Sequence, residues 1–235
     1  MATSKLFKQF VESIRGAASN KGKPFKLGDS ALSLLFHAPC YICNASDHHR
    51  SNRNVALMIF SKGYLEGNTM PVCAMCQKVR HGMNKTQLVS LAARTTLTCP
   101  LLGKAVGTNA RKYRTMAHEA IKGMRHSSHP SVRAHSTNYN TYICSARKRC
   151  MIASGTRCPS AVFTLTRNQF NQLRARHCYY CGLHNANGID RVYPAIGYTP
   201  RNSVPCCKTC NYAKNDLHPA TYISHMANIV RENAG

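Results

Sequence analysis

Residues 178–214, CYYCGLHNANGIDRVYPAIGYTPRNSVPCCKTCNYAK, decide the fold of the C-terminal part of the chain. They contain two Cys-x2-Cys pairs, Cys178/Cys181 and Cys207/Cys210, separated by a long loop. Four thiolates arranged as two such pairs are typical of a tetrahedral zinc site. The sequence therefore predicts one structural Zn²⁺ that fastens the two ends of this stretch together.

The same pattern occurs earlier in the chain, which indicates a tandem duplication. One set of positions recurs at a constant spacing: Phe25/Phe163, Leu27/Leu165, Cys40/Cys178, Tyr41/Tyr179 and Cys43/Cys181. A second set recurs at a slightly shorter constant spacing: Gly63/Gly197, Tyr64/Tyr198, Asn68/Asn202, Pro71/Pro205, Cys73/Cys207 and Cys76/Cys210. The two spacings differ by a single short insertion or deletion. A second structural Zn²⁺ is therefore predicted at the cysteines of the first copy, which are Cys40, Cys43, Cys73 and Cys76.

The motifs between the cysteine pairs of the second copy are Gly-Ile-Asp-Arg, Gly-Tyr-x3-Asn and, past the last cysteine, Asn211-x2-Lys214. With SARKR and FTLTRNQFNQL upstream, this order resembles the HNH endonuclease family, in its phage and large-virus branch with a GIDR-type motif. The resemblance covers residues 142–226 and implies a treble-clef, or ββα-metal, finger. We therefore expect an α+β chain of two small zinc-stapled fingers, at residues 1–97 and 139–235, joined by a basic linker at 98–138. Apolar spacing within this linker is compatible with a basic helix over residues 108–125.

The resemblance also implies a catalytic site in the second copy. Asp190 and Asn211 stand where the family binds one Mg²⁺ or Mn²⁺ ion, and Asn202 stands where an Asn orients the loop and the general base. The family's general-base histidine is replaced here by Arg191, as it is in the GIDR branch. Arginine stays protonated and cannot take a proton from water.

Three observations are compatible with other interpretations of these residues. His177 and His184 lie close enough in sequence to substitute for the missing base. Asp190 is one of only 8 acidic residues, so it can instead be the ion-pair partner of Arg191 or Lys214. The first copy has Ala56 at the Asp position, and we interpret that copy as a finger without a catalytic metal.

The charge of the chain favours nucleic acid as its partner. Lys and Arg number 32 against 8 acids, a net charge of +24 with neutral histidines. Such an imbalance repels itself unless a polyanion neutralises it. We expect RNA first and DNA second, and the absence of a long apolar run predicts no membrane span. The predicted phosphate contacts are Arg191, Arg201, Lys208 and Lys214 in the second copy and Lys62, Lys78 and Arg80 in the first.

Residues 1–22 have one acid among several Lys, Arg and Ser residues, a composition typical of a mitochondrial presequence. The repeat instead predicts that this segment forms a helix of the first finger, with Phe10 and Ile14 facing inward. Eight zinc ligands leave five cysteines, an odd number that indicates free thiols in a reducing intracellular compartment, with an organellar matrix as one such place. These five are Cys99, Cys144, Cys150, Cys158 and Cys206.

The sequence is compatible with two alternative functions, one non-catalytic and one enzymatic. The first is a non-catalytic nucleic-acid binder derived from a duplicated HNH nuclease, serving beside neighbouring proteins in an RNA-containing assembly such as an organellar ribosome. The second is an active metal-dependent endonuclease that cuts DNA with the C-terminal finger. Asp190 and Asn211 favour the second, whereas Arg191 and the state of the first copy favour the first.

Overall fold

A computed structural model describes residues 5–46, 53–122, 138–148 and 162–234. The described chain mixes helices with short two-stranded sheets and divides into two compact units, Met1–Asn84 and Lys85–Gly235. Each unit contains one group of four buried cysteines. This agrees with the expected α+β class and with one cysteine tetrad in each copy.

The N-terminal unit contains three α-helices and two small sheets within its described residues. Helix α1 (Lys5–Asn20) leads into β1 (Phe25–Lys26), which pairs in parallel with β3 (Tyr64–Leu65). Strands β2 (Arg53–Leu57) and β4 (Thr69–Cys73) form an antiparallel pair. Helices α2 (Asp29–His37) and α3 (Ala74–Arg80) complete the unit.

The predicted leading helix forms, and its apolar face packs into the core. Phe10 and Ile14 of α1 are buried against a cluster of aromatic and aliphatic side chains from α2, β2 and β3. The buried members of that cluster are Phe10, Ile14, Ala18, Leu27, Leu32, Phe36, Val55, Leu57 and Tyr64. Because burial stabilises the fold by about 2 kcal/mol for each large apolar side chain, α1 is part of the folded unit.

The C-terminal unit repeats this arrangement and adds helices. Its described elements are α4 (Lys85–Thr98), α5 (Leu102–Val106), α6 (Ala110–Ile121), α7 (Tyr139–Lys148), α8 (Arg167–Ala175), β5 (Ile189–Arg191), β6 (Ser203–Pro205), α9 (Lys208–Lys214) and α10 (Pro219–Arg231). Strands β5 and β6 pair antiparallel. Phe163 and Tyr198 form a parallel bridge that matches the Phe25–Tyr64 pairing of the first copy.

The structure confirms that the two copies share one backbone plan. Helices α3 and α9 begin at equivalent positions of the repeat, as do α4 and α10. Gly63 and Gly197 both lie where an added Cβ would strike a backbone carbonyl, that of Pro24 and that of Val162 respectively. Glycine recurs there because two backbone segments approach too closely for any side chain.

The boundary between the units lies earlier than the sequence predicts. We expected the first finger to run to residue 97 and residues 98–138 to be a part-helical basic linker. In the structure α4 packs against α6 and α10, and α5 packs against α10. The Thr98 hydroxyl also donates to the carbonyl of Tyr180 at 2.6 Å. Residues 85–122 therefore belong to the C-terminal unit, because α4 and α6 bury small and aliphatic side chains there.

One helix begins as its capping residue predicts. Thr and Asp are both good N-cap residues, and Thr166 and Asp29 each lie at the start of the second helix of their copy. Thr166 caps α8 in a capping box with Gln169. Asp29 does not cap α2: Gly28 occupies that position without a side-chain hydrogen bond, and Asp29 is the first helical residue. Its carboxylate still lies at the end of the helix where negative charge is favourable.

Within the described residues, no helix is long and apolar enough to cross a membrane. Cys150 and Cys158 lie outside the described residues.

Candidate metal centres

Two groups of four buried cysteines can each hold one metal ion. The sulfurs of Cys40, Cys43, Cys73 and Cys76 all lie within 4.8 Å of one another. The same limit holds for Cys178, Cys181, Cys207 and Cys210. Thiolates crowded in this way without a bound cation would carry unfavourable buried charge, whereas one divalent ion at their centre offsets that charge. The ligand sets predicted from the sequence are thus brought together in full.

The local fold explains why the sulfurs converge. Cys207 is the N-cap of α9, and its sulfur accepts the amide of Cys210 at 3.4 Å. Cys73 does the same for α3 and Cys76, at 3.3 Å. The first pair of each tetrad lies on a tight turn, in which Gly182 adopts a φ of +69° and Asn44 a φ of +50°. The helix N-terminus is a favourable place for thiolate charge.

The structure assigns the ambiguous Cys206/Cys207 pair as the sequence predicts. Cys207 joins the tetrad, whereas the thiol of Cys206 donates to the carbonyl of Cys207 at 3.3 Å. Burial raises the pKa of the Cys206 thiol well above its ordinary range, so it stays protonated. Cys99 is also a buried thiol, and burial raises its pKa to about 11. Neither is expected to react or to bind metal.

Asp190 forms a buried ion pair with Lys214. Its Oδ2 atom lies 3.0 Å from the Lys214 ammonium and accepts the Tyr180 hydroxyl at 2.8 Å. Lys214 has no exposed surface, and its ammonium also donates to the carbonyl of Arg191 at 2.9 Å. Burial raises the pKa of the Asp190 carboxyl, and the Lys214 ammonium opposes that shift. This is the ion-pair alternative that the sequence analysis left open.

The first copy keeps the cation and lacks the acid. Arg80, at the position of Lys214, donates both terminal nitrogens to the carbonyl of Leu57 at 3.4 and 3.3 Å. Leu57 occupies the place of Arg191, and Ala56 occupies the place of Asp190. The common role of the cation is therefore to bind a strand carbonyl from the end of the helix, and Asp190 is an addition to that arrangement.

This donor set does not fit a catalytic Mg²⁺ or Mn²⁺ ion. Oδ2 of Asp190 already accepts two donors, and one of them places a positive charge beside the carboxylate. Beyond the two cysteine tetrads, the described residues contain no group of three His, Cys, Asp or Glu side chains with metal-binding geometry. Asn211 lies half-buried in the first turn of α9. We derive no catalytic step through this site.

Asn202 holds the loop that precedes it by side-chain hydrogen bonds to backbone. Its Oδ1 accepts the amide of Tyr193, and its Nδ2 donates to the carbonyls of Tyr193, Ile196 and Gly197 at 2.9–3.1 Å. Asn68 binds Ile59 and Gly63 in the same way. The expectation that Asn202 orients the loop agrees with this geometry. Because the copy without the acid retains the asparagine, the shared role is structural.

Asn202→Ala is expected to lower the free energy of unfolding of the C-terminal unit by about 2–4 kcal/mol, because it leaves buried backbone groups without partners. Asn211→Ala is the matched control, and we expect less than about 1 kcal/mol there. Urea unfolding of the metal-loaded protein measures both. Equal effects of the two substitutions would contradict the assigned role of Asn202.

The predicted phosphate contacts divide into two classes in the structure. Lys62, Lys78 and Arg201 are exposed, and Lys208 is half-buried near the Tyr212 ring. Lys214 is fully buried, and Arg80 is half-buried with its pKa lowered by burial. Arg191 donates to the carbonyl of Pro194 and lies over the Tyr198 ring. Lys214 cannot touch a phosphate, and Arg80 and Arg191 are engaged inside the fold.

His177 and His184, considered in the sequence as substitutes for the missing base, come together on the first cysteine turn of the second copy. Their Nε2 atoms lie 3.1 Å apart, and both side chains are exposed. Nothing in their separation along the sequence indicates this contact. It follows from the shape of the turn that carries Cys178 and Cys181.

Comparison with known proteins finds a distant viral relative. An uncharacterized protein of Acanthamoeba polyphaga mimivirus is 25% identical in an alignment of 212 residues that covers 86% of this chain and 33% of that protein. The chain thus spans about a third of the length of this relative. No family profile matches the sequence, and no solved structure matches it either.

Proposed function

We propose that the chain is a non-catalytic nucleic-acid-binding protein built from two zinc-stapled treble-clef fingers, derived from a duplicated HNH-type nuclease. The observation that carries the non-catalytic part is the Lys214 ammonium, which lies 3.0 Å from the carboxylate that a catalytic metal would need. The positive charge of Lys214 thus lies where the charge of a catalytic metal ion would otherwise lie.

The identity of the structural metal follows from the ligand chemistry. Four thiolates in a closed tetrahedral arrangement favour zinc, which has no geometric preference of its own and no redox activity. In both copies a cysteine turn, paired strands, a second cysteine pair and a helix follow one another, and this order supports the treble-clef interpretation. Each ion would contribute folding free energy outright, on the order of 10 kcal/mol or more.

The charge of the chain supports the nucleic-acid partner. With 32 basic residues against 8 acidic ones, most cations cannot find a carboxylate partner within the chain. The exposed side chains of Lys62, Lys78 and Arg201 are the predicted contacts that keep surface for a phosphate. Such contacts position a nucleic acid without reading its sequence. RNA is the preferred partner in this proposal, within a larger assembly.

The zinc-loaded protein is expected to bind nucleic acid in a strongly salt-dependent way and not to cut it. If six to ten phosphates are neutralised, a plot of log K against log salt has a slope of about −5 to −9 on a DNA duplex, and a shallower slope on single strands. Fluorescence anisotropy with labelled RNA and DNA, over a salt range of about 50 to 300 mM, measures it. Incubation with Mg²⁺ or Mn²⁺ is expected to leave supercoiled DNA and RNA intact.

Two kinds of variant test nucleic-acid binding and nucleic-acid cutting separately. Arg201→Gln with Lys62→Gln should reduce the slope by about 2, one for each lost contact. Lys122→Gln is the matched control, because Lys122 is exposed at the C-cap of α6 and paired with Glu119. A slope near zero would refute nucleic-acid binding. Metal-dependent cutting by the wild type that is lost in Asp190→Asn would replace the proposal with an active endonuclease.

A further inference from the structure

The pair of His177 and His184 is a candidate for a third metal site, separate from both cysteine tetrads. Their Nε2 atoms are 3.1 Å apart, and the two ring centroids are 3.9 Å apart with 58° between the ring planes. Two imidazole nitrogens at bond lengths of about 2.0–2.1 Å from one tetrahedral ion lie about 3.3 Å from each other. The observed distance is therefore close to the spacing that chelation of one ion requires.

The backbone, rather than the side chains alone, holds the two rings opposite each other. Residues next to His177 pair across the turn with residues next to His184: the Cys178 amide donates to the Leu183 carbonyl at 2.8 Å, and the Ala186 amide donates to the Arg176 carbonyl at 2.9 Å. Asn185 closes this turn with a φ of +51°. Cys178 and Cys181 of the tetrad belong to the same turn, so the turn that carries the two rings is fixed by the backbone and by the metal ligands.

The pair belongs to the second copy only. Pro39 and Ser46 stand at the corresponding positions of the first copy, in the register that aligns Cys40 with Cys178. The first copy retains its own cysteine tetrad, so the fold of a finger does not require the two histidines. Their pairing is thus an addition that packing does not explain.

We infer that His177 and His184 chelate one divalent transition-metal ion of the zinc, nickel or copper class, with water in its remaining positions. Neutral imidazole is a good ligand for this class, and both rings are exposed, so the ion has a direct path from solvent. Two protein ligands leave open positions, unlike the closed cysteine tetrads. The site would exchange its ion much faster than the tetrads do.

Zn²⁺ binding to protein that already holds two zinc ions tests the inference. Equilibrium dialysis of the full chain is expected to show a third equivalent, which His177→Gln and His184→Gln each abolish. The double variant should lose no more than either single variant, because one ligand alone does not chelate. His37→Gln is the matched control: His37 is exposed and bonds to its own helix at the carbonyl of Ser33, and this variant should keep the third equivalent.

The alternative explanation of the short distance is a hydrogen bond between two neutral rings. Side-chain NMR of the two imidazoles during Zn²⁺ titration separates these cases. Joint saturating shifts of both rings at one equivalent support the site. Shifts that stay unchanged, or a third equivalent retained in both single variants, would overturn it. Two cysteine-bound zinc ions in every variant, measured by metal analysis, show that the finger itself remains folded.

Discussion

Cys207→Ser is expected to reduce the zinc content from two ions to one and to unfold the second finger. The substitution tests the metal-binding role of Cys207 alone. Serine is a good N-cap, and its hydroxyl can still accept the hydrogen bond that the Cys210 amide donates to the Cys207 sulfur. What serine cannot supply is a thiolate. Apparent binding free energies of structural zinc are about 10–16 kcal/mol, as large as the whole stability of most domains. The expected result is therefore loss of the finger's fold rather than a modest shift in its stability.

Cys206→Val is the matched control for this prediction. The first copy has Val72 at that position, so the substitution follows the protein's own alternative. Metal analysis and thermal unfolding are expected to show two zinc ions and near wild-type stability. Cys73→Ser should remove one ion in the same way from the N-terminal unit. If Cys206→Val lost an ion and Cys207→Ser kept both, the ligand assignment would be wrong.

The metal sites could be predicted because their ligands lie in short sequence motifs. Two Cys-x2-Cys pairs define a tetrad, and the constant spacing between matching positions of the two copies indicates that the second tetrad is built like the first. The same spacing predicts the shared helices and the shared loop asparagines. The structure gives Asn68 and Asn202 equivalent hydrogen bonds, which confirms the predicted repeat at the level of individual atoms.

The boundary between the units could not be read in the same way. Helices α4 and α10 occupy equivalent places in the two repeats, yet they pack against each other within the C-terminal unit. A sequence repeat shows which segments resemble each other, whereas a structural unit is defined by which apolar faces pack together. The segment that we expected to be a part-helical basic linker contributes α5 and α6 to this packing. The helix over residues 108–125 was expected, but the buried residues of α6, Ala117 and Ala120, are too small to indicate that it packs into a core.

The ion pair of Lys214 with Asp190 was one of the alternatives that the sequence offers, but the complete burial of Lys214 was not predicted, because lysine is rarely buried. From sequence alone, a lysine at the end of a helix in a strongly basic chain is expected to face solvent. One signal was present: the first copy has a cation, Arg80, at the same position, although it has lost the acid. A cation that persists where its supposed metal-binding partner has gone indicates a structural role.

Lys214→Met is expected to destabilise the C-terminal unit by about 3–5 kcal/mol, because it leaves Asp190 buried without its counter-charge. Asp190 would retain the Tyr180 hydroxyl and the backbone amide of Arg191, and the Arg191 carbonyl would lose the Lys214 ammonium as a donor. A loss of this size corresponds to a fall in Tm of about 10 °C. Thermal and urea unfolding of the zinc-loaded protein measure it, with metal content checked in each sample.

Asp190→Ala is expected to cost less, because Lys214 keeps its hydrogen bond to the Arg191 carbonyl, as Arg80 keeps the equivalent bond beside Ala56. In Asp190→Ala with Lys214→Met, the uncompensated charge is absent, so the double variant should recover at least half of the loss caused by Lys214→Met. That recovery would be a coupling energy of roughly 2 kcal/mol in a double-mutant cycle. Strictly additive losses would show that Asp190 and Lys214 do not depend on each other. The pair would then no longer explain why an acid persists in a chain so rich in cations.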